Sequence, residues 1–379
     1  MCAMEKHLVL VGGGHAHLTA LLNLAEYSDR GHKVTVIGPS PYHYYSGMGP
    51  GLLSGIYRPQ DVRFHVKKMA EERGAAFIED KVVRINPNQK TLSLQSGKQV
   101  TYDVISFNTG SEVPLGGLVP EPQENIIPVK PVFNLLQARR LIVPVLKEKP
   151  MSFIVVGGGP AGLEITANLW RLVNENCGKG AIRLIAGRKL LTGLPEKVRG
   201  LALRSLTDRG IAVTAGSHVK EMTGHQIRLT DGASYPFDVA FMALGVQPSR
   251  IFRDSGILTG PDGGLLVNSF LQSASHPEMF GGGDCVSFAE RPLAKVGVYA
   301  VRQNPILLHN LLAALEGKEM KIFMPQKDYM LIFNMGNGRG ILWKKNFVWQ
   351  SRLAFLLKDH IDRKFMRKFQ VAGEPNEEE

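Results

Sequence analysis

Two glycine-rich turns, each following a short apolar run and opening an amphipathic one, constrain this chain more than any other feature. The first reads Leu8-Val9-Leu10-Val11-Gly12-Gly13-Gly14-His15-Ala16-His17. The second reads Phe153-Ile154-Val155-Val156-Gly157-Gly158-Gly159-Pro160-Ala161-Gly162-Leu163-Glu164. Glycine lets the backbone turn tightly and approach a pyrophosphate, whose charge then rests on the unpaired amides of a helix N-terminus. One such turn is a weak signal. Two, each in strand-turn-helix context, point to a chain that holds two dinucleotides.

The chain has 379 residues, enough for two or more domains. Its 45 Lys and Arg outweigh 34 Asp and Glu, and the net charge of +11 favours anionic partners: nucleic acid, a membrane surface or a phosphorylated cofactor. No nucleic-acid module is evident, so nucleic acid is not an expected partner. Cys2, Cys177 and Cys285 form no CxxC pair, which argues against a disulfide scaffold and for a reducing compartment. Met1 to Lys6 runs straight into the first apolar run without a secretory pattern, and no apolar stretch approaches the roughly 18 residues that span a bilayer. The expected location is the cytoplasm, with peripheral attachment at the inner face of the cytoplasmic membrane as the other option.

Around each turn the residues read as one repeating unit. Residues 7–11 suit a buried parallel strand, 17–28 a helix and 33–37 a second strand. A helix over 60–73 follows, then short strands near 76–79, 81–86, 90–95 and 98–107. Asn108-Thr109-Gly110-Ser111 ends this block, and the stretch from Pro114 to Pro131 reads as a linker. The second block repeats the first, with strand 153–156, helix 160–174, strand 182–186, helix 195–209 and strands 211–214, 218–222 and 226–229. Val239 to Gly245 then echoes the strand before Gly110. After Gly245 the chain is expected to return to the first domain through Glu278-Met279-Phe280-Gly281-Gly282-Gly283-Asp284-Cys285 and a helix over 296–315. A strand pair over 321–343, around Gly336-Asn337-Gly338, and a helix over 347–369 precede an acidic tail ending Glu377-Glu378-Glu379. The expected domains are residues 1–115 and 250–318 together, 116–249, and 319–379.

This order of motifs resembles the FAD-dependent pyridine nucleotide-disulfide oxidoreductase superfamily and, within it, the type II NADH dehydrogenase-like branch. Tyr45-Ser46-Gly47-Met48-Gly49-Pro50-Gly51, Lys295-Val296-Gly297-Val298-Tyr299-Ala300-Val301-Arg302-Gln303 and Phe365-Met366-Arg367-Lys368-Phe369 are similar to dehydrogenase-like proteins found fused to selenophosphate synthetase. The resemblance covers the chain up to its acidic tail. It implies a three-layer α/β fold with two Rossmann-like dinucleotide-binding domains, one for FAD and one for NAD(P), and a small C-terminal α+β region.

By that resemblance, FAD lies on Gly12, Gly14, His15, Ala16 and His17, against the Thr109-Gly110 turn. Gly283-Asp284 closes the site, with Asp284 receiving flavin hydroxyls. His17 stands where the family has its third glycine, a change expected to loosen the helix-strand contact slightly while leaving the phosphate-facing amides intact. His15 and His17 form a His-x-His pair, but those amides are needed for phosphate and no third ligand is evident, so no metal is expected. The family places a ribose-binding carboxylate about 20 residues beyond each turn. After the first turn that position is Gly38, which leaves the adenosine ribose to Ser40 and backbone. The second site takes Gly157, Gly159, Gly162 and Gly245, and its strand runs into Ala186-Gly187-Arg188-Lys189, again without a carboxylate. Arg188 suits the 2′-phosphate of NADPH; NADH, and a degenerate site holding no nucleotide, stay open.

Sulfide and disulfide relays need paired cysteines beside the flavin, which three widely spaced cysteines do not offer. Cys285 reads as a buried, inert thiol. Direct hydride transfer to the flavin remains. The resemblance places Glu164 near nicotinamide and flavin, Lys295 before a helix pointing at the flavin pyrimidine, and Gln303 in a partly preserved quinone motif. The plain counterparts are a helix N-terminal carboxylate for Glu164 and an exposed lysine for Lys295. Near the C-terminus, Phe347, Trp349, Leu353, Leu356, Leu357, Ile361, Phe365 and Phe369 recur mostly at steps of three and four among Arg352, Asp359, Arg363 and Arg367. Such a basic amphipathic helix either lies in a membrane interface or docks its apolar face on the protein. The expectation is therefore an FAD-dependent NAD(P)H dehydrogenase that passes electrons to a quinone or another small acceptor. Its partners are a nicotinamide nucleotide, that acceptor, a membrane surface and a second copy of the chain. The alternatives are a regulatory flavoprotein with a vestigial nucleotide site and a sulfide:quinone-like enzyme of sulfur or selenium metabolism.

Overall fold

Both glycine turns leave the central strand of a five-stranded parallel sheet. The computed structural model describes residues 5–119, 123–176, 178–326 and 328–377, so Cys2, Cys177, Glu378 and Glu379 lie outside it. In the first sheet the order is Met279–Gly281, Val104–Phe107, His7–Val11, Lys33–Gly38 and Ala76–Glu79. The second runs Ile126–Pro128, Val239–Met242, Met151–Val156, Gly180–Ile185 and Ala212–Thr214. The central strands are apolar over most of their length because a parallel sheet is covered on both faces, and Leu8, Val9, Leu10, Ile154, Val155 and Val156 are all buried. Each sheet also carries a three-stranded antiparallel appendage: Val82–Asn86, Thr91–Leu94 and Gln99–Thr101 on one, Val219–Met222, Gln226–Leu229 and Ser234–Pro236 on the other. The α/β class with two Rossmann-like sheets is thus present, and the duplication extends to the appendages.

Several elements differ from the sequence expectation, each for a local reason. Helix 17–28 is broken into Leu18–Leu22 and Leu24–Ser28 at Asn23, whose side-chain amide donates to the Thr19 carbonyl at 2.7 Å and competes with the helix ladder. Residues 60–73 are not one helix. Pro59 opens a short turn, Arg63–His65 pairs antiparallel with Tyr42–Tyr44, and only Val66–Glu71 is α-helical. Tertiary pairing with buried Phe64 overrides the local pattern here. The stretch 114–131 supplies the edge strand Ile126–Pro128, and Phe133–Glu148, with Pro144 inside it, is a helix that local periodicity does not announce.

The C-terminal region is a three-stranded sheet, Leu331–Asn334, Gly340–Lys344 and Phe347–Ser351, followed by helix Arg352–Phe369. Phe347 and Trp349 therefore sit on a strand. Lys345, at φ 53°, makes the tight hairpin, and the Ser351 hydroxyl caps the helix by accepting from the Ala354 amide at 2.9 Å. The tip of the preceding hairpin packs on helix Pro160–Glu175: Gly336 has φ 72°, and a Cβ there would collide with the Ala167 carbonyl. Gly336→Ala should cost about 2–4 kcal/mol, since it meets both a left-handed backbone and a rigid carbonyl. Urea unfolding would read this directly, and a loss below 1 kcal/mol would show that the hairpin is free to shift.

Candidate dinucleotide and redox site

The first glycine turn is wedged between Asn108 and Val66. Gly12 takes φ 88°, and a Cβ on Gly12 or Gly14 would collide with the Asn108 carbonyl or its side chain; one on Gly13 would overlap Val66. Asn108 itself accepts from the Ala16 amide at 2.9 Å and donates to the Gly282 carbonyl at 2.6 Å. Sequence reasoning singles out its neighbours Thr109, which is exposed, and Gly110, at φ 72°. The bolt is the asparagine before them. The amides of Gly13, Gly14 and His15 have no protein acceptor among the described residues, which leaves them for an anion. Ser40 lies past the end of strand Lys33–Gly38, and its hydroxyl accepts from the Tyr42 amide at 3.2 Å.

His17 does not loosen the turn. It is fully buried, with Nδ1 2.7 Å from the Gly12 carbonyl and Nε2 2.8 Å from the Ser106 hydroxyl, so it ties helix, turn and strand together. His15 is buried against His43, Tyr45 and Phe365, at ring separations of 5.2, 5.1 and 5.8 Å. Nε2 of His15 and Nε2 of His43 are buried without a partner. Burial pushes His15 down to about 4 and His43 to about 3, with the Lys130 charge acting the same way on both.

Asp284 stands on the short turn Gly283–Cys285, where Gly283 has φ 74°. Its Oδ2 accepts from Lys130 Nζ at 2.7 Å and from the Ser111 hydroxyl at 2.8 Å. Burial alone would raise this carboxyl, but the Lys130 charge and both hydrogen bonds carry it below the usual range. Gln303 is buried and accepts from the Gly283 amide at 2.7 Å, so it holds the Asp284 turn in place. Lys295 is neither exposed nor unpaired: its Nζ lies 2.7 Å from Asp262 and donates to the Val286 carbonyl at 2.6 Å. Lys295, Asp284, Tyr299 and Gln303 line one hollow. Beside it the Cys285 thiol is fully buried and pushed up by burial. Sequence reasoning does not single out Lys130, which lies in the Pro- and Gly-rich stretch. Free amides, a lysine, two orphaned imidazole nitrogens and an ionised carboxylate make a donor set that fits an anionic, hydroxyl-bearing dinucleotide such as FAD.

The second turn is equally tight. Side chains on Gly157, Gly158 or Gly162 would collide with the carbonyls of Ala243, Ala186 and Gly157 respectively, whereas Gly159 and Gly245 face open space. Arg188 is exposed on the loop after strand Gly180–Ile185. Glu164, in the first turns of helix Pro160–Glu175, points at the C-terminal sheet, and its Oε1 accepts from the Asn334 amide at 2.7 Å. Burial pushes its carboxyl up to about 7, against the pull of Lys358 and of that amide.

Lys358 donates to the Gly47 carbonyl at 2.8 Å and to Asp362 at 2.7 Å, and the Tyr45 hydroxyl donates to the other Asp362 oxygen at 3.0 Å. Side chains thus lead from His15 in the first turn through Tyr45 and Asp362 to Lys358, whose charge acts on Glu164 beside the second. Sequence reasoning does not single out Lys358 or Asp362; their i,i+4 spacing is the one signal that could have marked them.

The buried histidines set an acid limit. Burial lowers His17 from 6.5 to about 4, with the Gly12 carbonyl opposing. The fold accepts the neutral ring, so its contribution is whole above pH 6.5 and is lost as pH falls through about 4. His17→Gln should remove about 2–3 kcal/mol of the acid loss between those limits. Urea unfolding of both proteins at the two ends of that window would test this, and identical pH slopes would count against it.

A model of the family described as pyridine nucleotide-disulphide oxidoreductase matches residues 6–307. The type II NADH:quinone oxidoreductase of Staphylococcus epidermidis is 23% identical over 405 residues, covering 98% of each chain. Among solved structures, the sulfide:quinone oxidoreductase of Aquifex aeolicus superposes with a TM-score of 0.79 at 18% identity, covering 97% of this chain and 92% of the other. The structure of NDH2 from Plasmodium falciparum in complex with NADH gives 0.78 at 13%, covering 97% and 98%. The fold is shared with both, and the chain belongs to the pyridine nucleotide-disulphide oxidoreductase family.

Proposed function

We propose that this chain is an FAD-dependent NAD(P)H:quinone oxidoreductase of the type II kind, working at a membrane surface. The observation that carries the reading is the run of side chains His15, Tyr45, Asp362 and Lys358, the last of which acts on Glu164 through its charge. It brings the two glycine turns and the C-terminal helix to one place, and the Glu164 carboxyl is held near pH 7. Bound FAD would supply the two-electron chemistry between nicotinamide and quinone.

The chain's own residues do the rest. Gly13, Gly14 and His15 offer amides to the flavin's pyrophosphate, and Asp284, set by Gln303 and balanced by Lys130, offers acceptors to its hydroxyls. Lys295 already shares its charge with Asp262, so the N-terminus of helix Gly297–Glu316 is left as the larger positive influence on the hollow beside Asp284. Oε1 of Glu164 is taken by the Asn334 amide, so its exchangeable proton sits on Oε2, ready for an acceptor that gains electrons. A sulfur relay finds no support: among the described residues the only cysteine is Cys285, buried with its thiol raised. The tight packing of the second glycine turn likewise favours a working nucleotide site over a vestigial one.

Two oppositely dressed faces of helix Arg352–Phe369 support the membrane part. Lys358, Asp362, Met366 and Phe369 face the protein, while Leu353, Leu356, Leu357 and Ile361 are 61, 55, 39 and 41% exposed. Phe347 and Trp349, 58 and 38% exposed, extend the patch from the neighbouring strand. Exposed Arg352, Lys364, Arg367 and Lys368 belong to the same helix, which suits an anionic bilayer. No helix among the described residues is long and apolar enough to cross a membrane.

Anaerobic addition of NADH or NADPH to the purified flavoprotein should bleach the flavin's visible band, and a quinone should restore it; no bleaching by either nucleotide would end this reading. Quinone turnover should fall as pH rises through about 7, where Glu164 Oε2 loses its proton. Glu164→Gln should erase that limb and slow turnover by about a hundredfold; an unchanged pH profile would remove Glu164 from the chemistry. Vesicles rich in anionic lipid should carry the protein upward on flotation, and Leu353→Glu with Leu356→Glu should abolish this, while equal flotation would show that the patch does not bind lipid.

A further inference from the structure

We propose that the second glycine turn selects NADPH over NADH, with Arg188 and Lys189 taking the 2′-phosphate of the adenosine ribose. This deepens the oxidoreductase reading and rests on it. Discrimination between the two nucleotides is made where the strand after the glycine-turn helix ends: a carboxylate there accepts the two ribose hydroxyls and repels a phosphate, whereas an arginine welcomes one.

That strand is Gly180–Ile185, and Ala186 is the residue that follows it. Ala186 is buried, its amide donates to the Thr214 carbonyl at 2.8 Å, and its side chain can neither accept a hydroxyl nor repel an anion. The loop from Ala186 to Pro195 contains no Asp or Glu. The first acid beyond it, Glu196, is engaged by Arg199.

The loop is also fixed against the nucleotide site. The Leu191 amide donates to the Gly158 carbonyl at 2.6 Å, and the Gly216 amide donates to the Gly187 carbonyl at 2.7 Å. Gly187 has φ 63°, and a Cβ there would lie 3.3 Å from the His218 ring. Arg188 and Lys189 leave this anchored loop into solvent, and neither side chain has an ion pair or hydrogen bond among the described residues. Two free cations and an imidazole beside a strand end without a carboxylate form a site for a dianion. For the paired ribose hydroxyls of NADH the same place offers no carboxylate.

The flavin-loaded protein should bind 2′,5′-ADP at least about tenfold tighter than 5′-ADP in calorimetric titrations, the size of a charged hydrogen-bonded contact. The preference should shrink at high salt. Replacing Arg188→Ala together with Lys189→Ala should bring the ratio close to one and lower the NADPH-to-NADH ratio of flavin-bleaching efficiencies by about the same factor, with flavin content and melting temperature unchanged. Arg188→Lys should keep part of the preference. Equal binding of the two probes, binding of neither, or a double variant that leaves the ratio intact would overturn the proposal. Bleaching that proceeds equally well with NADH and NADPH would defeat the selectivity alone. A flavin that dithionite reduces but neither nucleotide does would defeat the oxidoreductase reading beneath it.

Discussion

One side-chain amide joins the parts of the first site. Asn108 leaves the end of strand Val104–Phe107, accepts from Ala16 in the glycine turn and donates to Gly282 just before the Asp284 turn. Three segments far apart in the chain, two of them glycine-rich, are held by its two polar atoms. An asparagine is the fitting residue because it offers an acceptor and a donor a few ångströms apart, and the buried Ala16 amide it serves has no other acceptor among the described residues. His17 then ties the same turn to Ser106 one residue pair back along the strand. The turn is rigid before any dinucleotide arrives, so binding does not have to order it.

The second turn is built by different means. There the glycines meet carbonyls directly, those of Ala243, Ala186 and Gly157, and no side chain mediates. Where the first turn lost a glycine, it gained a histidine whose ring fills the same interval with two hydrogen bonds. Both solutions bring a backbone close to a ligand. On the proposed function the first turn would hold the flavin cofactor, whereas the second leaves Gly159 and Gly245 facing open space, as suits a nucleotide that must come and go.

The sequence shows the architecture clearly because hydrophobic periodicity and glycine placement are local signals. Val9, Leu10, Ile154 and Val155 announce buried parallel strands, and the fingerprints announce the turns. What it hides depends on tertiary pairing. Arg63-Phe64-His65 has no strand character until Tyr42–Tyr44 lies beside it. Lys130 sits in a stretch that reads as linker, and only the fold brings it to Asp284. Lys295 looks free until Asp262, more than thirty residues away, is placed against it. Glu164 is legible as a candidate from its position after the turn, but its raised carboxyl is not, since the burial that raises it exists only in the fold, where it outweighs the pull of Lys358 and of the Asn334 amide.

The C-terminal helix shows most plainly what the site demands of the fold. Helix Arg352–Phe369 has enough leucine and isoleucine to bury an ordinary apolar face, yet it turns Lys358 and Asp362 inward and four large aliphatic side chains outward. Burying a lysine and a carboxylate costs several kcal/mol each unless their hydrogen bonds are completed, and replacing such a pair by apolar residues is often stabilising. Stability alone would therefore rotate this helix. The inward pair instead hydrogen-bonds to Tyr45 and Gly47 and sets a positive charge near Glu164, between the two glycine turns. With that register fixed, Leu353, Leu356, Leu357 and Ile361 have nowhere to go but outward. On the proposed function the two consequences serve one end: the rotation that keeps a proton-holding carboxyl and its lysine beside the redox site also gives the protein a greasy, basic edge, next to the lipid in which a quinone is dissolved.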